Sequence, residues 1–337
     1  MQKKLPTIKE IARRLNVSAS TVSRALHNHP SIGLRTKMQV QALAKELNYE
    51  RNETAIFFQK GKTFTIGVVL PRFSEEFFSV AISGIEDFAT KNKYQVLIGQ
   101  SYDDMEREKQ IVTTMKNSRI DGLIVSVAKN TSSFEHFENL RNYNIPVVFF
   151  DCIPDLPDQN SVSCNLQQGT MAGVDFLAEK GHKRIALING PDQLQASAQR
   201  ATAYLAGLKK NKIKEDAALM VRTDLSKEST YAAMEQLLQV KNPPTAIVAF
   251  NDYVALEAMQ YARSRKLRIN KDICFVSFAH LSVCNYLDNP PLASVEQFPY
   301  EQGYRAMELL YSIITDTENK HKPTQIVLES KLVPWGN

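Results

Sequence analysis

A chain of 337 residues, 43% hydrophobic and 23% charged, has room for two or three globular domains and the make-up of a soluble protein. Its four cysteines, Cys152, Cys164, Cys274 and Cys284, form no CxxC pair and no zinc-spaced set with histidine, which argues against a disulfide scaffold or metal-clasped fold and predicts reduced thiols in a cytoplasmic protein. No apolar run approaches the roughly 18 residues of a membrane span, and the opening MQKKLPTIKEIARRL lacks the apolar segment of an export signal.

The net charge of +5 is unevenly spread. Residues 1–62 carry twelve Lys or Arg against four Glu, a balance of +8, and the remaining 275 residues carry 29 basic and 32 acidic side chains. A basic head on a slightly acidic body points to a polyanion-binding module joined to something else. Within that head, Thr7 and Glu10 fit a capping box, and Ile8, Ile11, Ala12 and Leu15 follow at helical spacing. Asn16 and Val17 break the stripe, and Ser18 is placed to cap a second helix. Val22 and Leu26 are expected to pack inward there, leaving Ala19, Ser20, Ser23 and Arg24 on another face. A third helix is expected over 34–48, with Val40, Leu43, Ala44 and Leu47 as its stripe. Two short helices joined by a tight turn and closed by a third make a helix-turn-helix module. Its second helix, with small hydroxylated residues at its start, allows close approach of the backbone to phosphate and base edges. Gly61-Lys62-Thr63 is not a phosphate loop, because position 56 is isoleucine where that motif needs glycine.

From Phe64 onward, β-rich runs alternate with helical stretches. TFTIGVVL, YQVLIGQ, GLIVSV and PVVFF form one series, and RIALING, AIVAF and CFVSF a second. This alternation predicts parallel sheets with helices on both faces, in two Rossmann-like lobes around a cleft, with a further crossing near 293–296. Ligands in such sheets sit beyond the carboxyl ends of the strands. Phe77 and Phe78, after the first strand, can stack on a ring or pack in the core, and Asp103 follows the second strand. Catalytic, metal and cofactor sites are not expected. The six histidines are scattered, HExxH, GxSxG and a post-strand GxGxxG are missing, and the adjacent Asp103 and Asp104 read as a helix cap.

The run TIKEIARRLNVSASTVSRALHNHPSIGLRTKMQVQALAKELNYERN resembles the DNA-binding head of the lactose-repressor (LacI/GalR) family of bacterial transcription regulators. The resemblance continues through TIGVVLP, EEFFSVAISGIE, DGLIVS, IPVVFFD, KGHKRIALINGP, FNDYVALEAM and NPPLASVEQFPYEQGYRAMELL. It implies a small all-α helix-turn-helix domain over 1–50, a hinge helix and linker over 51–62, and an α/β periplasmic-binding-protein-like domain over 63–337. Lobe 1 would take about 63–163 and 293–324, and lobe 2 about 164–292 and 325–337.

The implied partners are double-stranded operator DNA, read by a homodimer at a palindromic site, and a sugar-like small-molecule effector between the lobes. The chain ends at WGN without an added heptad segment, so a dimer is expected rather than a tetramer. Carried over by position, Ala19, Ser20 and Arg24 would read bases, with Thr7, Ser18, Thr21, Ser23 and Asn28 on phosphate or groove wall. Ala55 and Phe58 would enter the minor groove from the hinge, where Arg51 replaces a common proline and Phe58 a common leucine; packing between hinges is the other reading of Phe57 and Phe58. Arg200 and Asn251 match effector-contacting positions, and Asp252 is either a second contact or the cap of the next helix. The chain departs from the sugar-binding pattern at Ser277-Phe278-Ala279-His280, which lacks the usual aspartate, and at Cys152 and Cys164. A nucleoside, a phosphosugar or a protein co-regulator therefore stands beside a sugar as the signal, and a binding protein without DNA regulation is the rival reading.

Overall fold

The computed structural model describes residues 6–49, 62–316, 318 and 321–335. The expected hinge, with Ala55 and Phe58, lies outside them. The chain divides into two units, Met1–Thr63 and Phe64–Asn337.

In the first unit, α1 (Ile8–Leu15), α2 (Ala19–Leu26) and α3 (Leu34–Glu46) close around Ile11, Ala12, Val22, Ala25, Val40 and Ala44. The Thr7 hydroxyl accepts from the Glu10 amide at 3.3 Å, the forward half of the capping box. The Glu10 carboxylate turns instead to Arg14 at 3.0 Å, an exposed i,i+4 pair. Asn16 ends α1 in the left-handed region at φ 50°, which asparagine tolerates better than most residues. The inward face of α2 is Val22 and Ala25, with Leu26 only half-buried. One step of 100° separates these two pairings, and the smaller alanine fits against α1.

The second unit holds two six-stranded sheets. In chain order, β1 (Thr65–Leu70), β2 (Gln95–Gln100), β3 (Gly122–Val125), β4 (Val147–Phe150), β5 (Asn160–Cys164) and, much later, β11 (Gln325–Leu328) form the first, arranged β11-β5-β4-β3-β1-β2. The second, β12-β10-β9-β8-β6-β7, contains β6 (Ile185–Asn189), β7 (Met220–Arg222), β8 (Ala246–Ala249), β9 (Cys274–Phe278), β10 (Ala293–Glu296) and β12 (Lys331–Pro334). Every pairing is parallel except β10 with β12. The central strands read as unbroken apolar runs because helices cover both faces.

The expected lobe boundaries are corrected at two places. Residues 293–296 belong to the second sheet, where β10 pairs with β9, and residues 325–328 belong to the first, where β11 pairs with β5. The chain crosses at Phe298, a non-glycine residue at φ 53°, immediately before Pro299 starts α11 (Pro299–Thr315). Proline at a helix start fixes where the crossing ends. Three crossings thus link the lobes: Asn165, Gln297–Phe298 and Glu329–Ser330. Two of them are tied, with the Ser330 hydroxyl donating to Asn165 O at 2.8 Å and the Asn165 amide nitrogen to Glu329 at 3.3 Å.

Candidate functional site

In the basic unit, Ser18 caps α2, its hydroxyl accepting from the Thr21 amide at 3.0 Å. The same hydroxyl lies 2.7 Å from Ser20 Oγ and 2.8 Å from Thr21 Oγ1, so the start of the helix presents a tied hydroxyl cluster. Ser18, Ser20 and Arg24 are exposed, and Ala19, Thr21 and Ser23 half-buried. Asn28 is committed to the turn after α2: it sits at φ 54°, accepts from Gln41 at 3.1 Å through its side chain and from Lys37 at 3.1 Å through its carbonyl. The face around Ser20 and Arg24 is therefore free to meet an anionic groove, and it combines hydroxyl donors with one fork-shaped cation.

In the second unit, the carboxyl ends of the two sheets face each other across a cavity of about 470 Å³. Asp151 and Cys152 after β4, Cys164 at the end of β5, Gln199 on α8 (Gln195–Lys210) and Gln297 after β10 line it. Arg200, one residue on from Gln199, lies behind that lining rather than in it and is 3% exposed. Its guanidinium stacks on Phe250 at 4.2 Å and Phe278 at 4.4 Å, an aromatic sandwich that suits its flat, weakly hydrated plane. Among the described residues its guanidinium makes one hydrogen bond, a long one to Ala196 O at 3.4 Å, and Nε has no acceptor. Burial pulls its pKa down to about 10, opposed by Asp151 and then by the thiols Cys152 and Cys164, so it stays charged at neutral pH.

Asp151 faces it from lobe 1. This carboxylate accepts from the Cys152 thiol at 3.4 Å and, more weakly, from Ser126 Oγ at 3.5 Å, but closes no ion pair among the described residues. Removal from water pushes its pKa up to about 6, and burial pushes nearby Glu75 to about 7. Both acids hold a proton more tightly in the folded chain than in the unfolded one. Their contribution to stability is complete below the ordinary carboxylate range and is lost as pH rises, through about 6 for Asp151 and about 7 for Glu75. Asp151→Asn should therefore gain on the wild type in urea midpoint between pH 4 and pH 7. An offset independent of pH would contradict this account of Asp151.

The remaining expected contacts divide. Asp103 is taken up in a rim network, 3.1 Å from Lys129 Nζ and 3.5 Å from Arg72 Nε, while Asp104 caps α5 (Met105–Asn117). Phe77 and Phe78, on α4 (Glu76–Lys91), are 8% and 4% exposed and pack edge-to-face in the lobe 1 core. Phe77 also reaches a second cavity, of about 420 Å³, beside His280 and Phe298. Asn251, and not Asp252, is the helix cap. Asn251 is extended and caps α10 (Asp252–Ser264) by accepting from the Val254 amide at 2.9 Å. Asp252 lies wholly buried inside the first turn, where it accepts from Ser277 Oγ, from Ser294 Oγ at 2.8 Å and from the Leu281 amide at 2.6 Å. Neither lines the cleft.

Sequence reasoning missed Asp151 and Gln297 as cleft residues. Both stand directly after buried strands, and the strand-end rule applied to IPVVFFD and SVEQ would have found them. Among the described residues, no group of three His, Cys, Asp or Glu side chains could hold a metal ion, no disulfide is formed, and no helix is long and apolar enough to cross a membrane.

Comparisons with known proteins bear on both units. Residues 7–52 match the profile of bacterial regulatory proteins of the lacI family, and residues 66–318 match a periplasmic binding protein domain. The HTH-type transcriptional repressor CytR of Escherichia coli (strain K12) is 31% identical over 92% of this chain and 90% of its own length. Catabolite control protein A of Priestia megaterium is 30% identical over 90% of this chain and 91% of its own. The Lac repressor dimer bound to operator and the anti-inducer ONPF superposes with a TM-score of 0.83 at 25% identity, covering 98% of each chain. The chain belongs to the lacI family of bacterial regulatory proteins, DNA-binding transcription regulators rather than enzymes, each a helix-turn-helix head on a two-lobed α/β body.

Proposed function

We propose that the chain is a repressor that binds a palindromic operator as a homodimer and responds to a small polar molecule held between its lobes. The observation that carries the ligand half is a pair of opposite charges that do not meet: buried Arg200 in lobe 2 without an acceptor at Nε, and half-buried Asp151 in lobe 1 without an ion-pair partner among the described residues. A molecule that offers acceptors to the guanidinium and donors to the carboxylate satisfies both. Neighbouring hydroxyls do this, which favours a sugar or a sugar-bearing compound such as a nucleoside. Gln199 and Gln297 supply further donors and acceptors. The carboxylate absent at Ala279 argues that one hydroxyl position is read loosely or not at all.

The DNA half rests on the exposed Ser20 and Arg24 at a capped helix start. Arg24 has the geometry for a guanine edge, worth about 1–3 kcal/mol of discrimination, and the Ser18–Ser20–Thr21 hydroxyls suit phosphate. Ala55 and Phe58 are assigned to the minor groove on the resemblance of the hinge. The Lac repressor structure, a dimer on its operator, supports the same assembly here.

The test is a thermal-shift screen of sugars, sugar phosphates and nucleosides on the full chain. A true effector at a hundred times its Kd should raise Tm by about 5 °C. Arg200→Ala should lose that shift and the effector's influence on operator affinity while binding operator like the wild type. An unchanged shift in the variant would move the ligand out of this cleft.

A further inference from the structure

The first amides of a helix have no partner within it and must find one elsewhere. Two helix starts in the body find theirs in the opposite lobe. Helix α4 of lobe 1 has no side-chain cap of its own, because Glu75 at the cap position makes none. Its first amide, Glu76 N, donates to the Tyr253 hydroxyl on α10 of lobe 2 at 3.4 Å. The 3₁₀ turn Ser282–Tyr286 of lobe 2 also lacks a cap of its own. Its first amide, Ser282 N, donates to the two Glu76 carboxylate oxygens at 3.0 and 3.2 Å, and Ser282 Oγ donates to Oε2 at 3.0 Å. Each lobe caps a helix of the other, through a single residue of α4.

The segment that receives Glu76 is held under tension from its own side. Ala279 and His280 both take positive φ, 92° and 52°, a region that costs non-glycine residues free energy unless the surroundings hold it. Asp252 holds the next amide, Leu281 N, at 2.6 Å. Successive amides, 281 and 282, are thus gripped by a carboxylate of the same lobe and by one of the other. Glu76 takes no part in lining the 470 Å³ cleft. Hydrogen bonds of 3 Å do not survive a change of lobe angle about the three crossings, so these contacts exist in one arrangement only.

We propose that Glu76 and Tyr253 form an interlobe latch, positioning residues that favour this lobe angle over others and so bias the affinity for operator. This rests on the regulator reading above.

The experiment compares Glu76→Ala and the conservative Tyr253→Phe with the wild-type full chain, reading hydrogen exchange at single-amide resolution. In Glu76→Ala the Ser282 amide should exchange about tenfold faster while Leu281, gripped from its own lobe, stays within about twofold. Tyr253→Phe should speed exchange at the Glu76 amide. On a genomic fragment that the wild type protects, both variants should change operator affinity, with Glu76→Ala shifting it by about threefold or more. Unchanged exchange at Ser282 would overturn the latch. So would equal acceleration at 281 and 282, which marks loss of a local turn, or altered exchange with wild-type operator affinity. The exchange comparison needs no DNA, so the latch is decided by it even if no fragment is protected, a result that would instead sink the regulator reading.

Discussion

Gly303→Val should destabilise the body by about 3 kcal/mol or more, at or beyond the upper end of ordinary overpacking, seen as a lowered urea midpoint with the slope preserved. Helices α4 and α11 of lobe 1 cross backbone to backbone. A Cβ on Gly303 would stand 2.0 Å from Ala81 O, and one on Gly84 would stand 2.1 Å from Tyr300 O and 2.9 Å from Tyr304 N. These are main-chain atoms inside helices and cannot rotate away as a side chain would. The helices must part, and Ala81, Ile85, Met307 and Leu310, all 0% exposed, lose their packing together. Gly33 supplies the control, because a Cβ there meets nothing within 4 Å. Gly33→Ala, in the separate helix-turn-helix unit, should cost no more than about 1 kcal/mol, the preference of an N-cap for glycine over alanine. Comparable losses at the two positions would show that the close crossing is not what demands glycine at 303.

Asp252→Ala should lower stability by about 3–5 kcal/mol, the range for removing one member of a buried charged network. The carboxylate is 0% exposed and accepts from two hydroxyls and one amide, drawn from β9, β10 and the Leu281 segment. Alanine leaves three buried donors facing a void, and each loses its partner without regaining water. Asparagine keeps the shape but turns one acceptor into a donor aimed at donors, so Asp252→Asn should lose roughly half as much. Equilibrium urea unfolding of the three proteins orders them. If alanine proved no worse than asparagine, the carboxylate would not be the hub of this network. The loss should also reach the latch, since Asp252 grips the amide next to the one held by Glu76.

Much of this architecture was legible in the residues, and the failures have physical causes. The period-3.6 stripe of Ile8, Ile11, Ala12 and Leu15, the caps at Thr7 and Ser18, and the alternation of apolar runs with amphipathic stretches are local signals, and local signals fix element type. Sheet membership at the chain's end is not local. Residues 293–296 and 325–328 look alike as short strands, and only pairing sends one to each lobe: Ala293 joins Val276 of β9, whereas Gln325 reaches back to Ser161 of β5. The same limit governs Asn251 and Asp252. Adjacent polar residues at a helix start are interchangeable by pattern, and the choice is made by Ser277 and Ser294, which arrive from distant strands. Arg200 was placed near the cleft by resemblance. Its aromatic sandwich and its missing acceptor are tertiary facts, as is the reciprocal capping at Glu76.

The central claim, a DNA-binding regulator whose grip depends on what fills its cleft, is tested most directly by footprinting the purified full chain on the genomic DNA of its source organism, with and without the ligand found in the thermal screen. The account predicts a few protected sites, each with approximate two-fold symmetry, whose occupancy changes in wild type on ligand addition and does not change in Arg200→Ala. Protection of no fragment, or protection indifferent to ligand in the wild type, would contradict it.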